Sequence, residues 1–292
     1  KVMIEYSLTL AGNDCCLVEW NPGGENLVFA LHGWLDNLAT FESLANYMPN
    51  TRFIAVDSPG HGHSAHIEQD KAYHFIDGVY LIDDLIEHFG QQSINLLGHS
   101  MGGALATIYA SVQPKRIKNL LLIEAIGPVT TKESEFPETL RNSLTQRRLL
   151  KDKRKPFYSS FNLALEARAN VSNISPDLIK PLVERALTTI DNSKDTKVTG
   201  YTWRADSRLR SSSAMRMTEA QLRCLLPLIE APTLLIEGKQ GLLQLPDTAH
   251  VQARKSLIKN LKVELLEGGH HLHLEYPQMI AQIISDFMSA NQ

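Results

Sequence analysis

Ser100 is the residue from which chemistry is most readily built. It sits in Gly98-His99-Ser100-Met101-Gly102, after the apolar run Ile94-Asn95-Leu96-Leu97 and before Ala104-Leu105-Ala106. A strand, a sharp turn and a helix in that order force a serine into strained backbone geometry, its hydroxyl projecting above the sheet. Gly98 and Gly102 let two backbones close in, and a helix beginning near Met101 aims its positive end at the serine. A serine hydroxyl is a poor nucleophile at neutral pH, so it needs a base within hydrogen-bond reach. The base needs a partner that fixes its tautomer and stabilises the imidazolium. Ser100 therefore requires a histidine and an acid from elsewhere in the chain.

Those groups must be positioned by strands. Leu27-Val28-Phe29-Ala30-Leu31, Phe53-Ile54-Ala55-Val56, Leu120-Leu121-Leu122-Ile123 and Thr233-Leu234-Leu235-Ile236 are apolar runs of the kind buried on both faces of a parallel sheet. Loops after the ends of such strands form active sites. The first run ends in His32-Gly33-Trp34, the second in Asp57-Ser58-Pro59-Gly60-His61-Gly62-His63-Ser64, and the third in Glu124. Val263-Glu264-Leu265-Leu266 gives a last strand, followed by Gly268-Gly269-His270. Ile4 to Leu10 and Cys16 to Trp20 flank Gly12-Asn13-Asp14 and predict an antiparallel hairpin. Helical spacing predicts helices over Thr40–Met48, Asp77–Phe89 with Gly90 as its stop, the stretch after Ser100 to about Val112, Asp247–Ser256 and Pro277–Met288.

At 292 residues the chain can hold one long α/β domain or a core with an inserted lid. A net charge of -3 with 43% hydrophobic residues gives no electrostatic argument for a nucleic acid or a membrane surface as partner. Cys15, Cys16 and Cys224 are an odd count with two adjacent, which predicts buried structural thiols and a reducing compartment rather than disulfides. No apolar run reaches the ~18 residues of a membrane span, and the amino end shows no apolar signal core. The default expectation is cytoplasmic.

From Val129 to Leu228 the βα punctuation stops and polar and apolar residues recur at helical spacing. Ser175-Pro176-Asp177 reads as a helix start and Leu182–Leu187 as a helical run. Two basic clusters fall here, Arg147-Arg148 with Lys151, Lys153, Arg154 and Lys155, and Arg204 with Arg208, Arg210 and Arg216. Such runs usually form a solvated face; recognition of an anionic substrate or partner is the alternative.

Taken in order, His32-Gly33-Trp34, the Asp57–Ser64 loop, the Gly98–Gly102 turn and Gly269-His270 resemble the α/β-hydrolase superfamily over nearly the whole chain, most of all its serine hydrolase-like, capped carboxylesterase branch. The resemblance implies an α/β fold with a mostly parallel eight-stranded sheet flanked by helices. It implies a core from residues 1–127 and 229–292, with 128–228 inserted as a helical cap. It implies an oxyanion hole from the backbone N–H groups of Trp34 and Met101, and a mainly structural Asp57–Ser64 loop. The family pattern, with an acid five residues and a proline seven residues after the histidine, singles out His270 from His271 and His273, since Glu275 and Pro277 fall in place. His271 and His273 then read as loop packing or pocket lining, with too few well-spaced ligands for a structural zinc site.

The acid departs from the commonest pattern. Most relatives place Asp as Gly-x-x-Asp after the seventh strand, where this chain has Gly238-Lys239-Gln240-Gly241. A subset, including many haloalkane dehalogenases, takes the acid from the end of the sixth strand, which matches Glu124; Asp247 and Glu237 are the fallbacks, and a dyad assisted by water is the remaining case. Dehalogenation itself is excluded, because it needs a carboxylate where Ser100 stands. The function implied is cofactor- and metal-free hydrolysis of small to medium carboxylic esters through an acyl-serine. Carbon–carbon bond, lactone and thioester hydrolysis share the triad, and a low-turnover ligand receptor is the rival of a different class. Assembly state is not legible in the sequence.

Overall fold

The computed structural model describes residues 3–151, 153–192 and 195–291; the side chains of residues 151, 192 and 195–198 lie outside that description, Lys151 of the first basic cluster among them. The strands are β1 (Met3–Leu10), β2 (Asn13–Trp20), β3 (Asn26–Leu31), β4 (Thr51–Val56), β5 (Ile94–His99), β6 (Ile117–Ile123), β7 (Leu187–Asn192), β8 (Asp195–Trp203), β9 (Thr233–Gly238) and β10 (Leu261–Leu266). The α-helices are α1 (Glu42–Tyr47), α2 (Gly78–His88), α3 (Met101–Val112), α4 (Phe136–Lys151), α5 (Phe161–Ser172), α6 (Pro176–Ala186), α7 (Glu219–Leu225), α8 (His250–Leu257), α9 (Leu272–Glu275) and α10 (Pro277–Ala290). Among them none is long and apolar enough to cross a membrane.

Eight strands form one sheet in the order β1-β2-β4-β3-β5-β6-β9-β10. β1 and β2 pair antiparallel, as do β2 and β4; every pairing from β4 to β10 is parallel. Successive side chains of a strand point to opposite faces. Phe29, Leu96, Leu120 and Leu122 accordingly enter a core beneath α2 and α3, whereas Val28, Ala30, Leu97, Leu121 and Ile123 enter a second core beneath α1 and α10. Burial on both faces explains why these strands read as unbroken apolar runs.

The chain leaves the sheet after Ile123 and re-enters at Thr233 on the adjacent strand, and most of residues 124–232 form an insert. α5 and α6 pack on each other around Ala164, Leu165, Ile179, Leu182 and Val183, a small core of their own. The expectation of a wholly helical insert needs correction. Helix α6 stops at Ala186, and Leu187 opens the antiparallel β7–β8 hairpin. Its signal was the β-branched Thr188-Thr189-Ile190, which favours a pleated surface over a helix. Leu222 and Leu226, at the end of the insert, join the core beneath α3, so α7 serves as the crossover returning the chain to β9.

Smaller differences follow from turn chemistry. Only Ala11 and Gly12, both at positive φ, separate β1 from β2, so the second hairpin strand begins at Asn13 rather than Cys16. The Thr40–Met48 helix is preceded and partly replaced by a 3-10 turn at Leu38–Phe41, capped by the Asn37 side chain. Pro246–Thr248 forms a separate 3-10 turn before α8. Cys15 and Cys16 are buried free thiols, but Cys224 is exposed.

Candidate active site

Ser100 stands between β5 and α3 with φ 53° and ψ -116°. A non-glycine residue held there costs on the order of 1–3 kcal/mol, which the surroundings must over-determine. Its backbone N–H donates to the Ile123 carbonyl at 3.0 Å. The glycines of the motif are required by space: a Cβ on Gly98 would stand 2.4 Å from the Gly102 carbonyl oxygen, and one on Gly102 only 2.1 Å from the Leu31 oxygen. β3, β5 and α3 therefore meet at van der Waals limits beneath the serine.

Gly33 brings the second loop in. The position a Cβ would take on Gly33 is 3.3 Å from Ser100 Cβ, which puts the Trp34 backbone beside the serine. Met101 is the first residue of α3, where an N–H has no partner within the helix. Trp34 and Met101 thus each follow directly a residue of this close approach, Gly33 and Ser100. The Trp34 side chain is about half exposed, and its Nε1 donates to the Leu209 carbonyl of the insert at 2.9 Å.

Glu124 follows β6 at φ 54° and is buried. Its Oε1 accepts from the Gly238 N–H and its Oε2 from the Leu242 N–H, each at 2.7 Å, and His270 Nδ1 lies 3.3 Å from Oε2. Gly241 makes the arrangement possible. A Cβ there would lie 2.2 Å from Glu124 Oε2, while the residue's own backbone is extended at φ -83° and ψ 174°, open to any residue. Glycine is needed at 241 for room, not for conformation. Glu237 instead pairs with Lys255 Nζ at 2.8 Å, and Asp247 lines the cavity without touching His270.

His270 lies between β10 and α9. Its carbonyl oxygen is 2.8 Å from Nε2 of His99, the residue before Ser100, and the two imidazole rings pack with centroids 4.8 Å apart. The loop that carries His270 is thereby fixed to the serine turn. Among the described residues Ser100 Oγ makes no hydrogen bond; contacts of that kind commonly tighten only when substrate is bound. Ser100, Met101, Trp34 and Glu124 open on a cavity of about 2600 Å³ whose roof is the insert, including residues 207–217 and part of α4.

His271 and His273 are not cavity lining. His273 Nε2 is 2.6 Å from Thr40 Oγ1, and His271 Nε2 is 3.0 Å from Asp36 Oδ2. Asp36, His99 and His271 are close enough to suggest a cation site. Asp36 Oδ1, however, is paired with Arg168 of α5. A divalent ion added to this buried set would leave its charge and that of the guanidinium facing one carboxylate, an unbalanced interior charge. The group is better described as a hydrogen-bonded network. Burial alone would raise the Asp36 carboxyl, but the His271 hydrogen bond and the charges of His271, Arg168 and His99 hold it well below the ordinary carboxylate range. Burial, reinforced by the neighbouring imidazoles, pushes His99 and His273 far below the usual histidine value.

The Asp57 loop is structural in its contacts. Asp57 accepts from the N–H groups of Leu38 and His63 and from Arg185 Nε, each at 2.8 Å. In the second basic cluster Arg204 Nε donates to the Leu187 carbonyl and Arg208 pairs with Asp206, so both act as staples of the insert, whereas Arg210 is exposed. Asp36, His99 and Arg168 were not singled out from the sequence. Asp36, two residues past Trp34, and His99, beside Ser100, carried a positional hint; Arg168 carried none.

Residues 26–277 match the profile of the α/β hydrolase fold family. The chain is an α/β-hydrolase. A serine hydrolase-like protein of Danio rerio is 30% identical over 280 residues, 92% of this chain and 83% of the relative, which places this α/β-hydrolase in the serine hydrolase-like branch. A solved hypothetical protein of Pseudomonas aeruginosa PAO1 superposes with TM-score 0.89 at 33% identity, covering 99% of both chains. The thioesterase domain from the curacin biosynthetic pathway superposes with TM-score 0.84 at 27% identity, covering 98% of this α/β-hydrolase and 100% of that domain.

Proposed function

We propose that the protein hydrolyses carboxylic esters with Ser100 as nucleophile, His270 as general base and Glu124 as the acid that orients it. The contact between His270 Nδ1 and Glu124 Oε2 at 3.3 Å, in the space left by Gly241, is the observation that carries the reading. With Nδ1–H donating to Glu124, the lone pair of Nε2 is free to take the Ser100 proton. Ser100 Oγ attacks the carbonyl carbon, and the N–H groups of Trp34 and Met101 stabilise the oxyanion, each worth about 3 to 4 kcal/mol in comparable sites. The imidazolium then protonates the departing alkoxide, leaving an acyl-serine. Water gives its proton to His270 and attacks the acyl carbon, and the acid departs as Ser100 recovers its proton. The chemistry calls on no cofactor or metal.

The cavity of about 2600 Å³ exceeds the ~300–1,000 Å³ of typical small-ligand pockets, which favours a substrate larger than a short-chain ester on its acyl or alcohol side. The curacin domain's likeness makes thioester hydrolysis by the same groups the second reading. Gly241, the one feature favouring a receptor without turnover, is accounted for by the room it gives Glu124. A chromogenic ester panel of graded chain length, run beside the matching thioesters, tests the proposal. Turnover that disappears in Ser100→Ala is expected; turnover surviving that change would overturn it.

A further inference from the structure

Three side chains of the loop after β3 reach across to three separate parts of the insert. Trp34 Nε1 donates to the Leu209 carbonyl at 2.9 Å, Asp36 Oδ1 pairs with Arg168 of α5, and Asn37 Nδ2 donates to the Leu182 carbonyl of α6 at 2.9 Å. The same loop supplies the Trp34 N–H beside Ser100. Of the three residues Asp36 alone also contacts the loop that carries the base. Its Oδ2 accepts from His271 Nε2 at 3.0 Å, and the residue before His271 is His270.

His99 completes the frame. A carbonyl oxygen only accepts, so the 2.8 Å contact with the His270 oxygen places the proton of neutral His99 on Nε2. Its Nδ1 then carries a lone pair, has no hydrogen-bond partner and looks towards Asp36 Oδ2 at 3.8 Å. The His270 ring is flanked by the rings of His99 and His271, at 4.8 and 5.3 Å between centroids. Asp36 is 4% exposed and Arg168 is the one permanent cation on it among the described residues. A buried carboxylate stripped of such a partner is strongly disfavoured. The Asp36–His271 arrangement is therefore stable in this form only while α5 is seated.

We propose that Asp36 is a positioning residue for His270, acting through His271, and that Arg168 makes this positioning conditional on a docked insert. The proposal rests on His270 being the base. A departure of the insert releases the carboxylate, loosens the loop that carries the imidazole and idles the site without any change in Ser100 or Glu124.

The test is steady-state turnover of a neutral chromogenic ester by Asp36→Asn, Arg168→Ala, Arg168→Lys and the Asp36→Asn/Arg168→Ala double variant, with thermal midpoints recorded alongside. Misplacement of a base by a fraction of an ångström to 1 Å lowers kcat by about 10- to 100-fold. That loss is expected for Asp36→Asn and Arg168→Ala, with KM within about twofold, because binding groups are untouched. Arg168→Lys should recover most of the rate, and the double variant should be no slower than the slower single one, since both changes break one path. The rate of labelling of Ser100 by a fluorophosphonate, which needs the base but no substrate binding, should fall in parallel. Should Asp36→Asn not fold, the Arg168 pair carries the same comparison. Normal kcat in folded Arg168→Ala, with Ser100→Ala inactive, overturns the proposal and leaves the catalytic assignment standing. Turnover persisting in Ser100→Ala overturns that assignment and this proposal with it.

Discussion

The position a β-carbon would take on Gly241 lies 2.2 Å from Glu124 Oε2. Two carboxylates cannot share that volume, so the acid reaches His270 either from β6 or from the loop after β9, never from both. Glu124→Ala should lower kcat by about 10³- to 10⁴-fold, the scale seen when an orienting acid is removed. Gly241→Asp alone should also damage the enzyme, because the new side chain collides with Glu124. Combining the two places a carboxylate where most of the family keeps it. The double variant should turn over at least about tenfold faster than Glu124→Ala, and a rate no better than the single variant would count against Glu124 as the acid.

Gly102 tests the turn around Ser100 itself. An added methyl would meet the Leu31 backbone oxygen at 2.1 Å, and backbone cannot swing aside as a side chain can. Gly102→Ala should destabilise the protein by about 3 kcal/mol or more, read as a lower denaturant midpoint, with activity lost in whatever fraction folds.

Much of this was legible because its causes are local. An apolar run, a glycine, a serine and a glycine determine the strand, turn and helix around Ser100, and the spacing from Pro277, which opens α10, picks out the loop that holds His270. Two things were hidden. The β7–β8 hairpin lies in a stretch whose apolar spacing also suits a helix, and only the β-branched run at Thr188–Ile190 tips the balance. The Asp36 network joins residues 132 and 235 positions apart in the sequence, and no local pattern reports such pairing.

Four imidazoles set the acid limit of the fold. Burial holds His32, His61, His99 and His273 below the ordinary histidine value, His61 at about 3. Below pH ~6.5 the unfolded chain takes up protons that the native state refuses. The unfolded state then binds more protons, so stability rises with pH and is lost as pH falls. Each of these groups adds a contribution of the same sign, so the loss of stability steepens as pH falls below ~6. Urea midpoints measured from pH 7.5 to 5 should fall steeply over the lower half of that range. A flat profile would mean that these side chains are protonated in the native state.

Arg185 binds the insert to the first strands. It pairs with buried Asp57 through Nε at 2.8 Å and with Glu5 of β1 through Nη2 at 3.1 Å. Arg185→Met leaves the Asp57 charge without a counter-ion and should cost about 3 to 5 kcal/mol. Adding Asp57→Asn should return much of that, and kcat of the folded enzyme should stay within about threefold. A large kcat loss at full stability would give Asp57 a chemical role instead.

The polypeptide quits the sheet at the head of β6 and rejoins it at the foot of β9, the strand beside it, with Leu120 paired to Thr233. Three residues of rise and one strand spacing separate those points, roughly 11 Å, whatever length of chain intervenes. Lengthening, trimming or exchanging the part of the excursion between Glu124 and α7, residues 129–217, therefore makes no demand on the register of the scaffold. Natural selection can remodel what the enzyme accepts as substrate by rewriting that excursion, and a protein engineer can graft another in its place while the eight strands stay as they are.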